Sequence, residues 1–316
     1  MQEHPVLSLG PLRFSLFGKI QDQGQFAGNS IRSSSEITSE AFMLKESWFK
    51  WWFIGFVEGD GSFIINKDGY LEFRITQSSP DAQILFMIKK ELGFGVVRKQ
   101  DSVRNTHCYR VRDKNNLIKL ISGDPAPLRG RGPIFNGNIF LDTRKEQFKL
   151  WLNAFNLKYK ENIPHIDSSF RPNLDNAWLS GFTDAEGCFT CSVYDNKYNT
   201  AKLVRLIYIL SQKGNSLPPP ASLEGGSCME YLAEILGGKK HLLKSYEGYN
   251  VTVNTTKLSP IVQYFNLYPL KTKKYITYFN WIKIYKLVID KKHNDPENLL
   301  LIMKYKNNIN KSDYNK

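Results

Sequence analysis

Hydrophobic and polar positions follow the same order twice along the chain. From residue 47, an apolar pattern with helical spacing gives way to alternating patterns typical of strands, and a helix, a second hairpin and a last helix follow. From residue 177 the same order recurs, and it ends in a long helix after Lys274. The pattern predicts an α+β fold of two pseudo-symmetric αββαββα halves.

The composition between these patterns predicts five segments. A Gly-, Ser- and Gln-rich stretch before the first half is expected to be a poorly ordered extension, and a proline-containing polar stretch between the halves is expected to be a linker. The predicted segments are the extension 1–46, the first half 47–160, the linker 161–176, the second half 177–290 with an insertion at 213–227, and the tail 291–316.

The first helix of each half carries two small residues four positions apart. These are Gly55 and Gly59 in the first half, and Gly181 and Ala185 in the second. Residues four apart share one helix face, and a stripe of small residues lets two helix backbones approach closely. If the stripes pack against each other, they form a central interface of two helices.

Each of these helices ends in an acid followed by a glycine. The acids are Asp60 and Glu186, and the glycines Gly61 and Gly187 are expected to leave the helix in the left-handed conformation. Helix packing would bring the two acids together at the negative ends of two helix dipoles. Folding alone does not require that arrangement, whereas a divalent cation such as Mg²⁺ would relieve the repulsion.

The duplicated motif resembles that of the LAGLIDADG homing endonucleases in their single-chain, double-motif form. The two copies read FIGFVEGDG at residues 53–61 and LSGFTDAEG at residues 179–187. The resemblance implies a saddle-shaped fold with two antiparallel sheets and a central two-helix interface. It also implies an enzyme that hydrolyses both strands of DNA at a specific site. It further implies two or three Mg²⁺ ions, with Mn²⁺ or Ca²⁺ able to substitute in binding. The implied metal ligands are Asp60, Glu186 and the backbone carbonyls of Gly59 and Ala185.

The resemblance also implies one catalytic basic residue before the last helix of each half, which would poise solvent or stabilise the transition state. Lys145 and Lys273 are the preferred candidates, and their neighbours Arg144 and Lys274 are the alternatives. Solvated charges at a helix N-terminus are the other interpretation of these residues.

Two glutamines occupy matching positions at the end of the second strand of each half. By the same resemblance, Gln77 and Gln212 are expected to hold water near the metal ions without binding the ions themselves.

The charge of the chain indicates a polyanionic partner. A net charge of +13 and basic residues along the predicted strands suit phosphate contacts and readout of bases in the major groove. We therefore expect double-stranded DNA with a long, asymmetric target site as the partner. The predicted DNA-binding residues are Arg74, Arg98, Lys99, Arg110, Arg112, Lys202, Arg205 and Lys244.

Intron RNA is the alternative partner. Some relatives of this fold are maturases that assist splicing of their host intron, a role that needs the basic surface but not the acids. Both acids are present, so the endonuclease is preferred, although the two roles can coexist. A pseudo-two-fold within one chain predicts a monomer, and no apolar run reaches the length of a membrane span. The resemblance implies a protein made in a mitochondrion or another organelle.

Overall fold

Two four-stranded antiparallel sheets, one in each half of the chain, form the framework of the structure. This computed structural model describes residues 48–123, 132–197, 201–213, 228–243 and 248–309. The predicted extension, most of the predicted insertion and the candidate Lys244 lie outside these ranges.

The described part of the first half has the order αββαββαα. Its elements are α1 (described over residues 48–60), β1 (Gly61–Ile65), β2 (Leu71–Ser78), α2 (Ala82–Leu92), β3 (Val96–Asp101), β4 (Thr106–Val111), α3 (Lys114–Ser122) and α4 (Asp142–Tyr159). Residues 161–176 follow and form neither helix nor strand.

The second half repeats this order and adds a short final helix. Its elements are α5 (Trp178–Glu186), β5 (Gly187–Asp195), β6 (Lys202–Lys213), α6 (Cys228–Ile235), β7 (Lys239–Leu243), β8 (Gly248–Asn254), α7 (Ser259–Leu267), α8 (Lys274–Ile289) and α9 (Pro296–Lys306). Among the described residues, no helix is both long and apolar enough to cross a membrane.

The prediction of two α+β halves is confirmed, but each half has one helix more than the αββαββα pattern allowed. The additional helices are α3 and α7, which follow the last strand of each sheet. Each presents only three buried residues with helical spacing, too short a run to stand out from a loop. These residues are Leu117, Leu120 and Ile121 in α3, and Ile261, Tyr264 and Phe265 in α7.

Each sheet has its first strand at one edge and its third strand at the other. The strand orders are β1-β2-β4-β3 and β5-β6-β8-β7, with every neighbouring pair antiparallel. One face packs on helices through buried residues such as Phe73 and Tyr109 in the first sheet, and Tyr208 and Val253 in the second. The residues that alternate with these buried ones form what we call the outer face of each sheet.

The helices α1 and α5 cross with their backbones in contact, so the predicted two-helix interface is confirmed. A Cβ atom added at Gly55 would lie 2.0 Å from the carbonyl oxygen of Trp178, and one added at Gly181 would lie 1.8 Å from that of Trp52. At Gly59 the nearest atom would be the Cβ of Ala185, at 2.3 Å. No residue larger than glycine fits at the crossing point.

The prediction of left-handed glycines after these helices is wrong. Gly187 has φ −84° and ψ 152°, and Gly61 is absent from the glycines with positive φ. Both begin a strand, and a Cβ atom would meet the preceding helical turn, 2.4 Å from Cγ2 of Thr183 or 2.5 Å from Cγ1 of Val57. Glycine is required there for space, because the strand leaves the helix without a connecting residue.

Candidate functional site

The acids Asp60 and Glu186 are the last residues of α1 and α5, and they lie together at the C-terminal ends of these two packed helices. A Cβ atom on Gly59, next to Asp60, would lie 3.0 Å from Cγ of Glu186. Burial, and then the charge of Asp60, raise the pKa of Glu186. Burial also raises the pKa of Asp60. The structure thus places two partly buried carboxylates where their charges repel each other.

The two glutamines that the sequence assigned to the site make different contacts. Gln77 donates a hydrogen bond of 2.6 Å from Nε2 to Oδ2 of Asp60. Gln212 has the matching place on β6, but its Oε1 is buried and receives no hydrogen bond from the described part of the chain. The site is therefore asymmetric in its polar partners as well as in its acids.

Arg144 and Lys274 contact the C-terminal ends of the two motif helices. Arg144 donates from Nη2 to the carbonyl oxygen of Gly59 at 2.6 Å, and Lys274 donates from Nζ to that of Ala185 at 2.6 Å. Burial lowers the pKa of Lys274, and the charge of Asp60 opposes that shift. The two carbonyls predicted as metal ligands therefore accept hydrogen bonds from cationic side chains.

The preferred candidates from the sequence, Lys145 and Lys273, lie against other acids. Nζ of Lys145 is 3.3 Å from Oδ1 of Asp142, and Nζ of Lys273 is 3.9 Å from Oδ2 of Asp81. In each pair the structure brings the alternative residue, and not the preferred one, to the motif carbonyls.

Sequence reasoning missed two further acids, Glu58 and Asp184, which lie two residues before the acids of the site. Both are almost fully buried, with exposed fractions of 1% and 3%. Each accepts hydrogen bonds from consecutive backbone N–H groups just before the last long helix of its half. The donors are Phe140 and Leu141, at 3.0 and 2.6 Å from Glu58, and Lys271 and Thr272, at 2.8 and 3.0 Å from Asp184.

Each of these buried acids also binds a tryptophan of the other half. Trp178 donates from Nε1 to Oε1 of Glu58 at 2.9 Å, and Trp52 donates from Nε1 to Oδ2 of Asp184 at 2.8 Å. Burial raises the pKa of Glu58 to about 7, although these hydrogen bonds act to lower it. The acid and the tryptophan recur in both motif copies, a signal that the sequence offered.

The predicted DNA-binding residues are not all on the outer faces. Arg74, Arg110 and Arg112 come together around Glu72 on the outer face of the first sheet. Side chains alternate between the two faces along a strand, and this alternation also places Arg98 and Arg205 on the outer faces. It places Lys99 and Lys202 on the core-facing sides. Lys202 pairs with Asp195 at the far end of β6.

The sequence of the chain matches a known protein family and individual proteins. A sequence model described as LAGLIDADG endonuclease matches residues 53–123 and 179–285. The chain is 93% identical over its full length to the probable intron-encoded endonuclease 4 of Neurospora crassa, and it spans 54% of that protein. It is 30% identical over 220 residues to the intron-encoded RNA maturase bI4 of Saccharomyces cerevisiae, covering 69% of this chain and 29% of that protein.

Solved structures of the same fold include DNA complexes. The I-LtrWI LAGLIDADG homing endonuclease bound to target DNA is 23% identical, with a TM-score of 0.65 over 84% of this chain and 98% of that one. I-SmaMI bound to cleaved DNA is 21% identical, with a TM-score of 0.64 over 83% of this chain and 96% of that one. At this level of identity the match establishes the two-half fold.

Proposed function

Because the chain belongs to the LAGLIDADG endonuclease family, we propose that it is a site-specific, intron-homing endonuclease that cuts both strands of a long asymmetric DNA target. The observation that carries this proposal is the pairing of Asp60 with Glu186 at the ends of two packed helices, with Arg144 and Lys274 beside them. Such an arrangement suits hydrolysis of a phosphodiester, which develops negative charge.

Divalent cations, Mg²⁺ in our proposal, would be held by the carboxylates of Asp60 and Glu186. The described residues hold no cluster of three or more His, Cys, Asp or Glu side chains suited to a metal. Water and DNA phosphates would thus complete an oxygen-ligand set, as Mg²⁺ prefers, with two or three ions in total and Mn²⁺ or Ca²⁺ able to substitute in binding. A bound metal ion would lower the pKa of an attacking water molecule and stabilise the leaving oxygen. The charge of Asp60 contributes to the raised pKa of Glu186, and a cation between the two acids would relieve this repulsion.

The remaining groups of the site would position solvent and neutralise charge. Gln77 fixes one oxygen of Asp60. Oε1 of Gln212, which receives no hydrogen bond from the described residues, can accept a hydrogen bond from a water molecule. The carbonyl oxygens of Gly59 and Ala185 would become metal ligands only if the side chains of Arg144 and Lys274 moved from these oxygens to the DNA phosphates. The guanidinium and ammonium groups of these two side chains would then stabilise the transition state.

Lys274→Met provides a test of which basic residue acts in the second half. We expect it to slow single-turnover cleavage by about 10²-fold or more, because the partly buried cation that contacts the carbonyl of Ala185 is lost. Lys273→Met is the matched control and should cleave within about threefold of the unmodified chain, since Lys273 lies by Asp81. The reverse ranking of the two variants would restore Lys273 as the catalytic candidate.

The experiment that tests the whole proposal is cleavage of a plasmid carrying the intronless allele of the host gene. With Mg²⁺ we expect a linear product cut at one locus by a monomer, and with a chelator we expect the plasmid intact. Tight binding without cutting at any divalent ion concentration would contradict the endonuclease.

A maturase is the second candidate, because one relative of the chain is named an RNA maturase. Under that function, the chain would accelerate splicing of its host intron RNA, and Glu186→Gln would leave the splicing rate unchanged. A mitochondrial or other organellar site of synthesis remains our proposal for either function.

A further inference from the structure

The outer face of the first sheet contains a carboxylate that arginines cover. Glu72 is only 3% exposed, although it alternates with core residues and thus belongs to the face that would meet DNA. Nε of Arg74 is 2.5 Å from its Oε1, Nε of Arg112 donates to its Oε2, and Nε of Arg110 is 3.9 Å from the same oxygen. One buried acid thus ties together three guanidinium groups.

The strand register explains why these side chains meet. Arg74 and Arg110 are directly opposite on the two central strands, β2 and β4. Phe73 is opposite Val111, so Arg112 continues the same ladder beside Glu72. Three arginines within two steps of one ladder would repel one another without the carboxylate between them. Consistent with this crowding, burial and then the charge of Arg112 lower the pKa of Arg110.

The atoms used by Glu72 leave the reading edge of each arginine available. All three ion pairs are made through Nε, so Glu72 does not consume the terminal nitrogens. A guanidinium can donate two parallel hydrogen bonds to O6 and N7 of guanine, the commonest specific contact in the major groove. An arginine that is already ordered loses less conformational freedom when it makes that contact.

We propose that Glu72 is a positioning residue that holds Arg74, Arg110 and Arg112 as a preformed guanine-reading cluster. This inference rests on the proposed function and adds base composition to it: the half of the target beneath the first sheet is guanine-rich at the bases that this cluster contacts. Without Glu72 the arginines would spread to the nearest phosphates, which give affinity but carry no sequence information.

The second sheet shows that this cluster belongs to one half only. When the two halves are matched through Gln77 and Gln212, the places of Glu72 and Arg74 are taken by Ile207 and Ile209 on β6. Ile209 is opposite Thr252, where Arg74 is opposite an arginine. We therefore expect guanine selection to be confined to the half of the target under the first sheet.

The test is selection of bound targets from randomised duplex DNA by the full chain and by Glu72→Gln. The arginine-read positions are those whose base preference changes in Arg110→Ala. At these positions we expect the unmodified chain to select guanine and Glu72→Gln to lose about tenfold of that preference. Binding of non-specific DNA should stay equal or tighten, because one negative charge is removed. Preferences under the second sheet should not change.

Asp195→Asn is the matched control, because it removes a carboxylate paired with Lys202 on the other sheet. It should keep guanine selection intact. Arg110→Lys, which keeps the charge without the planar fork, should lose that selection even if Glu72→Gln folds poorly in thermal melting.

Three results would overturn the inference: no guanine preference in that half, guanine preference unchanged in a folded Glu72→Gln, or equal loss of preference in both halves. In all three, metal-dependent cutting by the unmodified chain would leave the proposed function standing. Failure to bind any duplex DNA sequence would overturn both.

Discussion

Glu186→Gln should abolish double-strand cleavage while DNA binding persists. The amide keeps the size of the side chain at the end of α5 but removes the negative charge that would bind a divalent cation. We expect single-turnover cleavage of a supercoiled plasmid to fall by about 10²-fold or more. The dissociation constant, measured by fluorescence anisotropy, should stay within about tenfold, because the DNA contacts that we propose for the outer faces are unaffected.

The matched control for this variant is Glu146→Gln, which removes the same charge from an exposed position on α4. It should cleave at the rate of the unmodified chain. Double-strand cutting retained by Glu186→Gln would remove Glu186 from the catalytic assignment. A nicked product would still agree with it, since Asp60 would then serve the other strand alone.

The architecture of the site was predictable from the sequence where the signals are local and occur twice. Small residues at Gly55 and Gly181 specify a close helix crossing, because no larger side chain fits between the backbones. That crossing then determines that Asp60 and Glu186 meet. The apolar residues that alternate along β2, Leu71, Phe73 and Ile75, likewise form the core-facing side of that strand.

The choice between adjacent basic residues was not predictable in this way. Successive residues at the start of a helix point about 100° apart, so the phase of the helix decides which one reaches the site. Here that phase follows from the backbone N–H groups that Glu58 and Asp184 hold before α4 and α8. The short sequences LDTRK (141–145) and LKTKK (270–274) align Arg144 with Lys273. In the structure, Arg144 and Lys274 make the corresponding hydrogen bonds to the motif carbonyls.

The same limit applies to Glu72. A strand pattern places it on a polar face, but only the register between β2 and β4 reveals that arginines bury it. A charged residue on an exposed face is usually solvated, so the single strand gave no reason to single it out.

Gly181→Ala should cause the largest loss of stability of the variants considered. The new methyl group would meet the carbonyl oxygen of Trp52 at 1.8 Å and the backbone nitrogen of Phe56 at 2.8 Å. These are backbone atoms of α1, so the clash is relieved only if the two helices separate. We expect the free energy of unfolding in urea to fall by about 3 kcal/mol or more. Gly132→Ala, which would meet nothing within 4 Å, should change it by less than about 0.5 kcal/mol.

Separation of the helices should damage the site even in the molecules that remain folded. Trp52 lies at the crossing and donates to Asp184, which anchors the backbone before α8 and thereby places Lys274. Gly181→Ala should therefore lose cleavage below its unfolding transition, where Gly132→Ala keeps it. Stability equal to that of the unmodified chain would contradict the close crossing. A destabilised but fully active variant would show that the helix interface contributes to folding without positioning the acids. If the crossing does position Asp60 and Glu186, stability and cleavage depend on the same contacts and are lost together.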